Sequence, residues 1–121
     1  MPSVLIVDDS MFMRNILKNI LLVENIEVVG EASTGLEGVE MFRSLRPDVV
    51  TLDITMPDMD GLEALRNIMR IDPNAKVIMC SAMGQKSMIE DAIKTGAKDF
   101  IIKPFELKKV AELTKKFCNI K

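Results

Sequence analysis

The chain has 121 residues and a formal net charge of −2, from 16 basic and 18 acidic residues interspersed along it. This length predicts one domain over residues 1–121, and the mixed charge gives no electrostatic case for nucleic-acid binding. No apolar run approaches the roughly 18 residues of a membrane span, and the N-terminus lacks the basic start and cleavage site of a signal peptide. We therefore expect a soluble, cytoplasmic protein without membrane contact.

Three residue types narrow the chemistry further. Histidine is absent, which excludes His-based metal sites and Ser-His-Asp or Cys-His catalysis. The two cysteines, Cys80 and Cys118, fall in a strand-like and a helix-like segment, so we expect free thiols and no disulfide. The ten methionines follow helix and strand spacing, which favours core filling over a metal or cofactor role.

Strands and helices are predicted to alternate along the whole chain. Short apolar runs predict strands over residues 4–7, 26–30, 49–52, 76–80 and 100–102. Apolar residues at helical spacing predict helices over residues 11–22, 34–46, 62–71, 86–95 and 106–117. This alternation predicts an α/β fold in which a doubly wound, five-stranded parallel sheet carries helices on both faces.

Capping residues support several of these helix boundaries. Thr34 with Glu37, and Asp60 with Glu63, have the spacing of a capping box, and Gly96 suits a helix C-terminus. The same spacing predicts the core-facing residues of three helices, which are Phe12, Met13, Ile16, Leu17, Ile20 and Leu21 in the first, Leu36, Val39, Phe42 and Leu45 in the second, and Leu107, Val110, Ala111 and Phe117 in the last. Polar residues such as Arg14 and Lys18 are assigned to the opposite face of the first helix.

Charged and hydroxyl side chains follow four of the five predicted strands. Asp8 and Asp9 follow the first strand, Asp53 the third, Ser81 the fourth and Lys103 the fifth. The carboxyl ends of parallel strands open on one edge of the sheet, where ligands of such folds bind. The second strand offers no comparable group, as suits an edge strand outside the site. The sequence therefore predicts a cluster of three carboxylates, a hydroxyl and an ammonium.

The charge of this cluster indicates its chemistry. Three neighbouring carboxylates repel one another, and one would be protonated unless cations joined them. Lys103 supplies one cation, and a hard divalent ion is the natural second. An open edge with few protein ligands suits Mg²⁺ better than Ca²⁺. Such a site would let a carboxylate nucleophile receive a phosphoryl group with metal help.

Four segments of the chain carry a family resemblance. VLIVDDS, DVVTLDITMPDMDG, VIMCSA and GAKDFIIKPF each stand where a matching motif stands in the receiver domains of two-component response regulators. The resemblance covers the whole chain and is closest to the stand-alone chemotaxis type. It implies a flavodoxin-like (βα)5 fold with strand order 2-1-3-4-5.

The resemblance also implies a metal site. Asp53 would be the phosphoacceptor and, together with Asp9 and the backbone carbonyl of Thr55, would hold Mg²⁺ directly. Asp8 would act on the ion largely through bound water.

The remaining site residues are implied to bind the phosphoryl group and to report it. Lys103 would pair with the phosphoryl oxygens, and Ser81 would move to hydrogen-bond them. Phe100 occupies the aromatic switch position, where tyrosine is common in relatives. Phosphorylation of Asp53 would then change the face formed by the fourth helix, the fifth strand and the fifth helix.

The implied partners are proteins. The resemblance predicts a CheA-like histidine kinase as phosphodonor, a flagellar or archaellar motor-switch component or adaptor as output, and a possible phosphatase. The chain would act as a monomeric phosphoacceptor signalling protein. It would not be an enzyme beyond its own phosphotransfer and dephosphorylation.

Other functions remain as alternatives. A phosphatase of the haloacid-dehalogenase type would also place an Asp after a strand, but it needs a second acidic residue where Thr55 stands. In a flavodoxin-like cofactor protein, a phosphate would meet Asp8 and Asp9, which repel it. The main alternative lies within the family, as a single-domain phosphorelay intermediate outside chemotaxis. An inactive receiver acting as a scaffold is a further alternative.

Overall fold

Five strands and five helices alternate along the chain in the computed structural model, which describes residues 2–54, 56, 59–82, 84–103 and 106–118. The strands are β1 (Ser3–Val7), β2 (Glu27–Ala32), β3 (Val49–Asp53), β4 (Val77–Ser81) and β5 (Asp99–Ile102). The helices are α1 (Met11–Val23), α2 (Gly35–Leu45), α3 (Gly61–Ile71), α4 (Lys86–Thr95) and α5 (Lys109–Phe117). Within the described residues, every helix is too short or too polar to cross a bilayer.

All five strands pair in parallel, in the order β2-β1-β3-β4-β5. This order confirms the predicted flavodoxin-like fold and leaves β2 and β5 at the edges of the sheet. The register sets Val7 beside Leu52 and Asp53 beside Cys80, so the carboxyl ends of β1, β3 and β4 lie close together.

The sheet separates two apolar layers, because successive side chains of a strand point to opposite faces. One face packs Leu5, Val50 and Met79 against α2, α3 and α4, with Phe42 and Leu65 at its centre. The other face packs Ile6, Ile78 and Ile101 against α1 and α5. The three-layer α/β architecture expected from the sequence is therefore confirmed.

The predicted capping residues begin and end their helices. The Asp60 side chain accepts a hydrogen bond from the Glu63 amide at 2.8 Å, and the Thr34 hydroxyl accepts one from the Glu37 amide at 3.1 Å. In a capping box the Glu37 carboxylate would accept from the amide of the N-cap residue Thr34. Here it accepts from the amide of the preceding residue, Ser33, at 2.9 Å. Gly96 follows α4 with a φ of 129°, a backbone conformation that favours glycine.

Three apolar helix residues face solvent, contrary to prediction. Phe12, Leu36 and Leu45 are 70%, 57% and 42% exposed. In α2 the buried stripe is Gly35, Gly38, Val39 and Phe42. A Cβ on Gly38 would approach the methyls of Val7 to 2.8 Å, so this helix contacts the sheet through glycine. The periodicity counted apolar side chains and could not recognise glycine as the contact surface.

Two boundaries also differ from prediction by more than one residue. α5 begins at Lys109, three residues after the predicted start, because hydrogen bonds of the i to i+3 type run from the amide of Lys109 to the Glu106 carbonyl and from the amide of Val110 to the Leu107 carbonyl. β2 extends to Ala32 because that residue pairs with Val7. Phe117, predicted to be buried in the last helix, is half-buried.

Candidate functional site

Strand alternation delivers the predicted acidic residues to one side of the sheet edge. Ile6 faces α1 and α5, and Asp8 lies two residues further along the chain, so it lies on the same side of the sheet. Val49 faces the same layer, and Asp53 lies four residues beyond it. Both carboxylates are buried, at 2% and 5% exposure. The period of two in a strand therefore places both carboxylates over the α1 and α5 layer.

The three predicted carboxylates form one cluster. Asp8, Asp9 and Asp53 each offer one oxygen, and these oxygens all lie within 4.8 Å of one another. Asp9 is exposed, whereas the other two are buried. One open and two enclosed carboxylates make a site that a small ion can enter from solvent.

Lys103 neutralises part of this charge. Its Nζ lies 2.8 Å from Oδ2 of Asp8 and 3.4 Å from Oδ1 of Asp53. Burial favours the neutral amine, but the hydrogen bond to Asp8 and the charge of Asp53 outweigh it, so the pKa of Lys103 is raised above its ordinary value. The side chain therefore remains an ammonium at neutral pH.

Ser81 and Phe100 lie on the neighbouring strands β4 and β5. Ser81 is 4% exposed at the end of β4, and its carbonyl accepts from the Lys103 amide at 2.7 Å. Phe100 is half-buried and packs against the core layer of α2, α3 and α4. The backbone carbonyl predicted at Thr55 lies outside the described residues.

Two contacts important to the site geometry were not predicted from the sequence. Arg14, assigned to the solvent face of α1, is only 12% exposed in its side chain and donates from Nη1 to the Asp8 carbonyl at 2.6 Å. Gly61 begins α3 against the Asp53–Ile54 backbone, where an added Cβ would lie 2.5 Å from the Ile54 Cα. The conformation-breaking Gly61 was visible in the sequence, but no local pattern indicated the contact of Arg14.

Cys80 lies beneath the cluster in the α1 and α5 layer. Burial raises the pKa of its thiol to about 12, opposed in part by the charge of Lys103. The residue is therefore a protonated, inert thiol. Cys80 and Cys118 are both free, as predicted.

The residues present fit a magnesium ion. The donors are carboxylate oxygens, which Mg²⁺ prefers, and they converge within 4.8 Å at an edge that leaves room for water. With one ammonium against three carboxylates, the cluster retains negative charge that a divalent cation would offset.

Comparisons with known proteins show the family of the chain. The family model described as response regulator receiver domain matches residues 4–115. The chain is 61% identical to the chemotaxis protein CheY of Listeria monocytogenes over 116 residues, covering 96% of this chain and 98% of the relative. It is 58% identical to CheY of Thermotoga maritima over 113 residues, covering 93% and 94% of the two chains.

The fold is also similar to that of solved receivers. A chain in the CheX–CheY–BeF3–Mg²⁺ complex of Borrelia burgdorferi superposes with a TM-score of 0.89 at 43% identity, covering 94% of this chain and 87% of that one. The protein is thus a signalling protein that closely matches the CheY chemotaxis regulators. From its sequence, fold and acidic edge, the chain belongs to the family of response regulator receiver domains.

Proposed function

We propose that Asp53 is the phosphoacceptor of a chemotaxis response regulator. The carrying observation is the position of Lys103, whose ammonium lies 3.4 Å from Asp53 and 2.8 Å from Asp8. An ammonium beside the acceptor carboxylate can also pair with the oxygens of an incoming phosphoryl group and stabilise their negative charge. The Lys103 charge at this point also offsets the repulsion between the Asp8 and Asp53 carboxylates.

The transfer requires no further catalytic base. One Asp53 carboxylate oxygen attacks the phosphorus of a phosphohistidine, the P–N bond breaks, and the imidazole leaves with the electron pair. Asp9, Asp53 and the Thr55 carbonyl would hold Mg²⁺, Asp8 would act on it through bound water, and the bound ion would supply positive charge for the phosphoryl oxygens. Lys103 would pair with one phosphoryl oxygen, and the Ser81 hydroxyl would donate to another.

The output is a change of protein surface. Ser81 and Lys103 are linked through the 2.7 Å bond between the Lys103 amide and the Ser81 carbonyl, so movement at one strand end is transmitted to the next. Phe100 lies three residues before Lys103 on β5 and packs against the same core layer as Met88 of α4. Its rotation would alter the face of α4, β5 and α5, to the extent that phosphorylation favours the altered state.

The partners belong to this proposal as well. We infer a CheA-like histidine kinase, a motor-switch component or adaptor, and a phosphatase, with a cytoplasmic location for a monomeric receiver over residues 1–121. The Borrelia burgdorferi CheY was solved in complex with CheX, which makes a chemotaxis protein partner reasonable here. The protein would have no catalytic activity beyond its own phosphorylation and dephosphorylation, and a phosphorelay role outside chemotaxis is the alternative.

Intact mass after incubation with acetyl phosphate tests the phosphoacceptor. We expect wild type to gain one phosphoryl group in the presence of Mg²⁺, and Asp53→Asn to gain none because an amide is not a nucleophile for phosphorus.

Asp48→Asn provides the matched control. Asp48 precedes the same strand, and its side chain accepts from the Ser3 amide at the amino ends of the strands, far from the acidic cluster. This variant should therefore still be phosphorylated. A folded wild type without a mass gain, or an Asp53→Asn protein modified as fast as wild type, would overturn the proposal.

A further inference from the structure

A chain of polar contacts connects the edge strand β2 to the acidic site. The guanidinium of Arg14 donates from Nε to Glu31 at 3.1 Å and from Nη1 to the Asp8 carbonyl at 2.6 Å. Lys18, one turn further along α1, pairs with the other oxygen of Glu31 at 2.9 Å. Arg14 therefore spans two elements, whereas Lys18 contacts β2.

The carbonyl that Arg14 contacts belongs to the peptide unit between Asp8 and Asp9. Because that unit is planar, fixing its oxygen fixes the orientation at which the chain enters Asp9. The Asp8 side chain has its own anchors, accepting from the Ser10 amide at 2.9 Å and from Lys103 at 2.8 Å. Asp9 is exposed, so its direction depends chiefly on its backbone.

The guanidinium suits this task better than another cation. Its donors lie in one rigid plane, so holding Nε on Glu31 determines where Nη1 points. Charged donors also make shorter and stronger hydrogen bonds than neutral ones, in agreement with the 2.6 Å distance to the Asp8 carbonyl. The hydrogen bond from Lys18, and to a smaller extent the one from Arg14, lowers the pKa of the Glu31 carboxyl, so the anchor stays ionised near neutral pH.

We propose that Arg14, anchored by Glu31, is a positioning residue that orients the Asp8–Asp9 peptide and thereby sets the Mg²⁺ affinity of the site. This inference rests on the proposed function, because it assigns the metal to the same carboxylates. It concerns the unphosphorylated protein, in which the ion must bind before a phosphoryl group arrives.

Calorimetric titration of Mg²⁺ into Arg14→Gln and Lys18→Gln separates positioning from charge. Each variant removes one cation paired with Glu31, and loss of a cation near three carboxylates strengthens Mg²⁺ binding through Coulomb's law alone. Positioning predicts the opposite for Arg14→Gln, a loss of about tenfold in affinity, which is typical of groups that orient metal ligands. Lys18→Gln should stay within about twofold of wild type or bind more tightly.

Two further measurements keep the test independent of folding. Arg14→Lys preserves the charge without the planar fork and should lose affinity almost as strongly as Arg14→Gln. Phosphorylation of both Arg14 variants by acetyl phosphate should be slow at limiting Mg²⁺ and recover at saturating Mg²⁺, which a general structural defect would not do.

The outcomes distinguish this inference from the proposed function. Equal or tighter Mg²⁺ binding by a folded Arg14→Gln or Arg14→Lys overturns the positioning role, as does an equal loss in Lys18→Gln. In either case wild type would still take up the phosphoryl group. Failure of wild type itself to bind Mg²⁺ would instead overturn the proposed function.

Discussion

Lys103 shows at the scale of one residue how the acidic edge is made compatible with folding. Its side chain is 8% exposed and stands between two buried carboxylates. Removing one partner of a buried ion pair leaves the remaining charge without compensation, which costs more than the pair itself contributes. The same residue therefore has a structural and a chemical role.

Replacement of Lys103 by Met should destabilise the protein by about 3 kcal/mol at neutral pH. Because the pKa of Lys103 is raised in the folded state, its contribution is fully present below the ordinary lysine value of 10.5 and is lost as the pH rises through the raised value. Denaturant unfolding followed by far-UV circular dichroism should show the gap between wild type and Lys103→Met narrowing only above pH 10.5.

Lys109→Met is the control for the loss of one lysine. Lys109 pairs with Glu106 at 2.7 Å on an exposed surface, so its replacement should cost far less. A Lys103→Met protein as stable as Lys109→Met would show that the buried pair carries no net stability.

At the scale of the element, α3 begins in direct contact with the end of β3. The Gly61 amide donates to the Ile54 carbonyl at 2.6 Å, and the space where a Cβ would lie is occupied by the Asp53 and Ile54 backbone. The capping residue Asp60 precedes this contact, and its side chain accepts from the Glu63 amide. The first residue of α3 thus packs directly against the Asp53 backbone at the end of β3.

Gly61→Ala should lower the free energy of unfolding by about 2 kcal/mol, because the new methyl meets backbone atoms that have no alternative rotamer. It should also slow phosphorylation by acetyl phosphate, since the displaced atoms belong to Asp53 and its neighbour.

Gly84→Ala is the matched control in the loop after β4. A Cβ there would meet the terminal carbons of Ile102, the far end of a flexible side chain, so the change should stay within about 0.5 kcal/mol. Equal losses in the two variants would contradict the distinction between backbone and side-chain contact.

At the scale of the whole molecule, the central sheet encloses Cys80 between two layers of helices. The residue is 2% exposed in β4, and burial raises the pKa of its thiol to about 12. Cys118 follows α5 and is half-buried, with a pKa that burial also raises. The reactivity of Cys80 therefore reports the opening of the central sheet, and that of Cys118 reports smaller movements near the end of α5.

Alkylation of Cys80 should require global unfolding, because a thiol in the central sheet becomes both exposed and ionisable only when the layers separate. In a Cys118→Ser background, the labelling rate measured by intact mass should rise with denaturant in parallel with the unfolding equilibrium. Cys118 in a Cys80→Ser background should react faster and depend less on denaturant. Equal rates for the two thiols would show that β4 opens locally.

Local patterns predicted much of this architecture. The alternation of apolar runs and helical periodicity, with caps at Thr34 and Asp60, predicted five strands and five helices and hence the parallel sheet. The gathering of Asp8, Asp53 and Lys103 followed from one rule, that parallel strands share a carboxyl edge. The strand order came from the family resemblance.

Contacts between distant segments were decided by the tertiary structure. Gly38 and Gly61 approach Val7 and the Ile54 backbone because they lack a Cβ, which local periodicity cannot detect. Arg14 looked like a solvent-facing residue, and only the packing of α1 across the face of β1 and β2 brings it to the Asp8 carbonyl. The sequence alone thus determined the elements and the acidic edge, since both depend on near neighbours in the chain. Tertiary packing decided which helix faces are buried and how the carboxylates are held, since both depend on atoms that folding brings together.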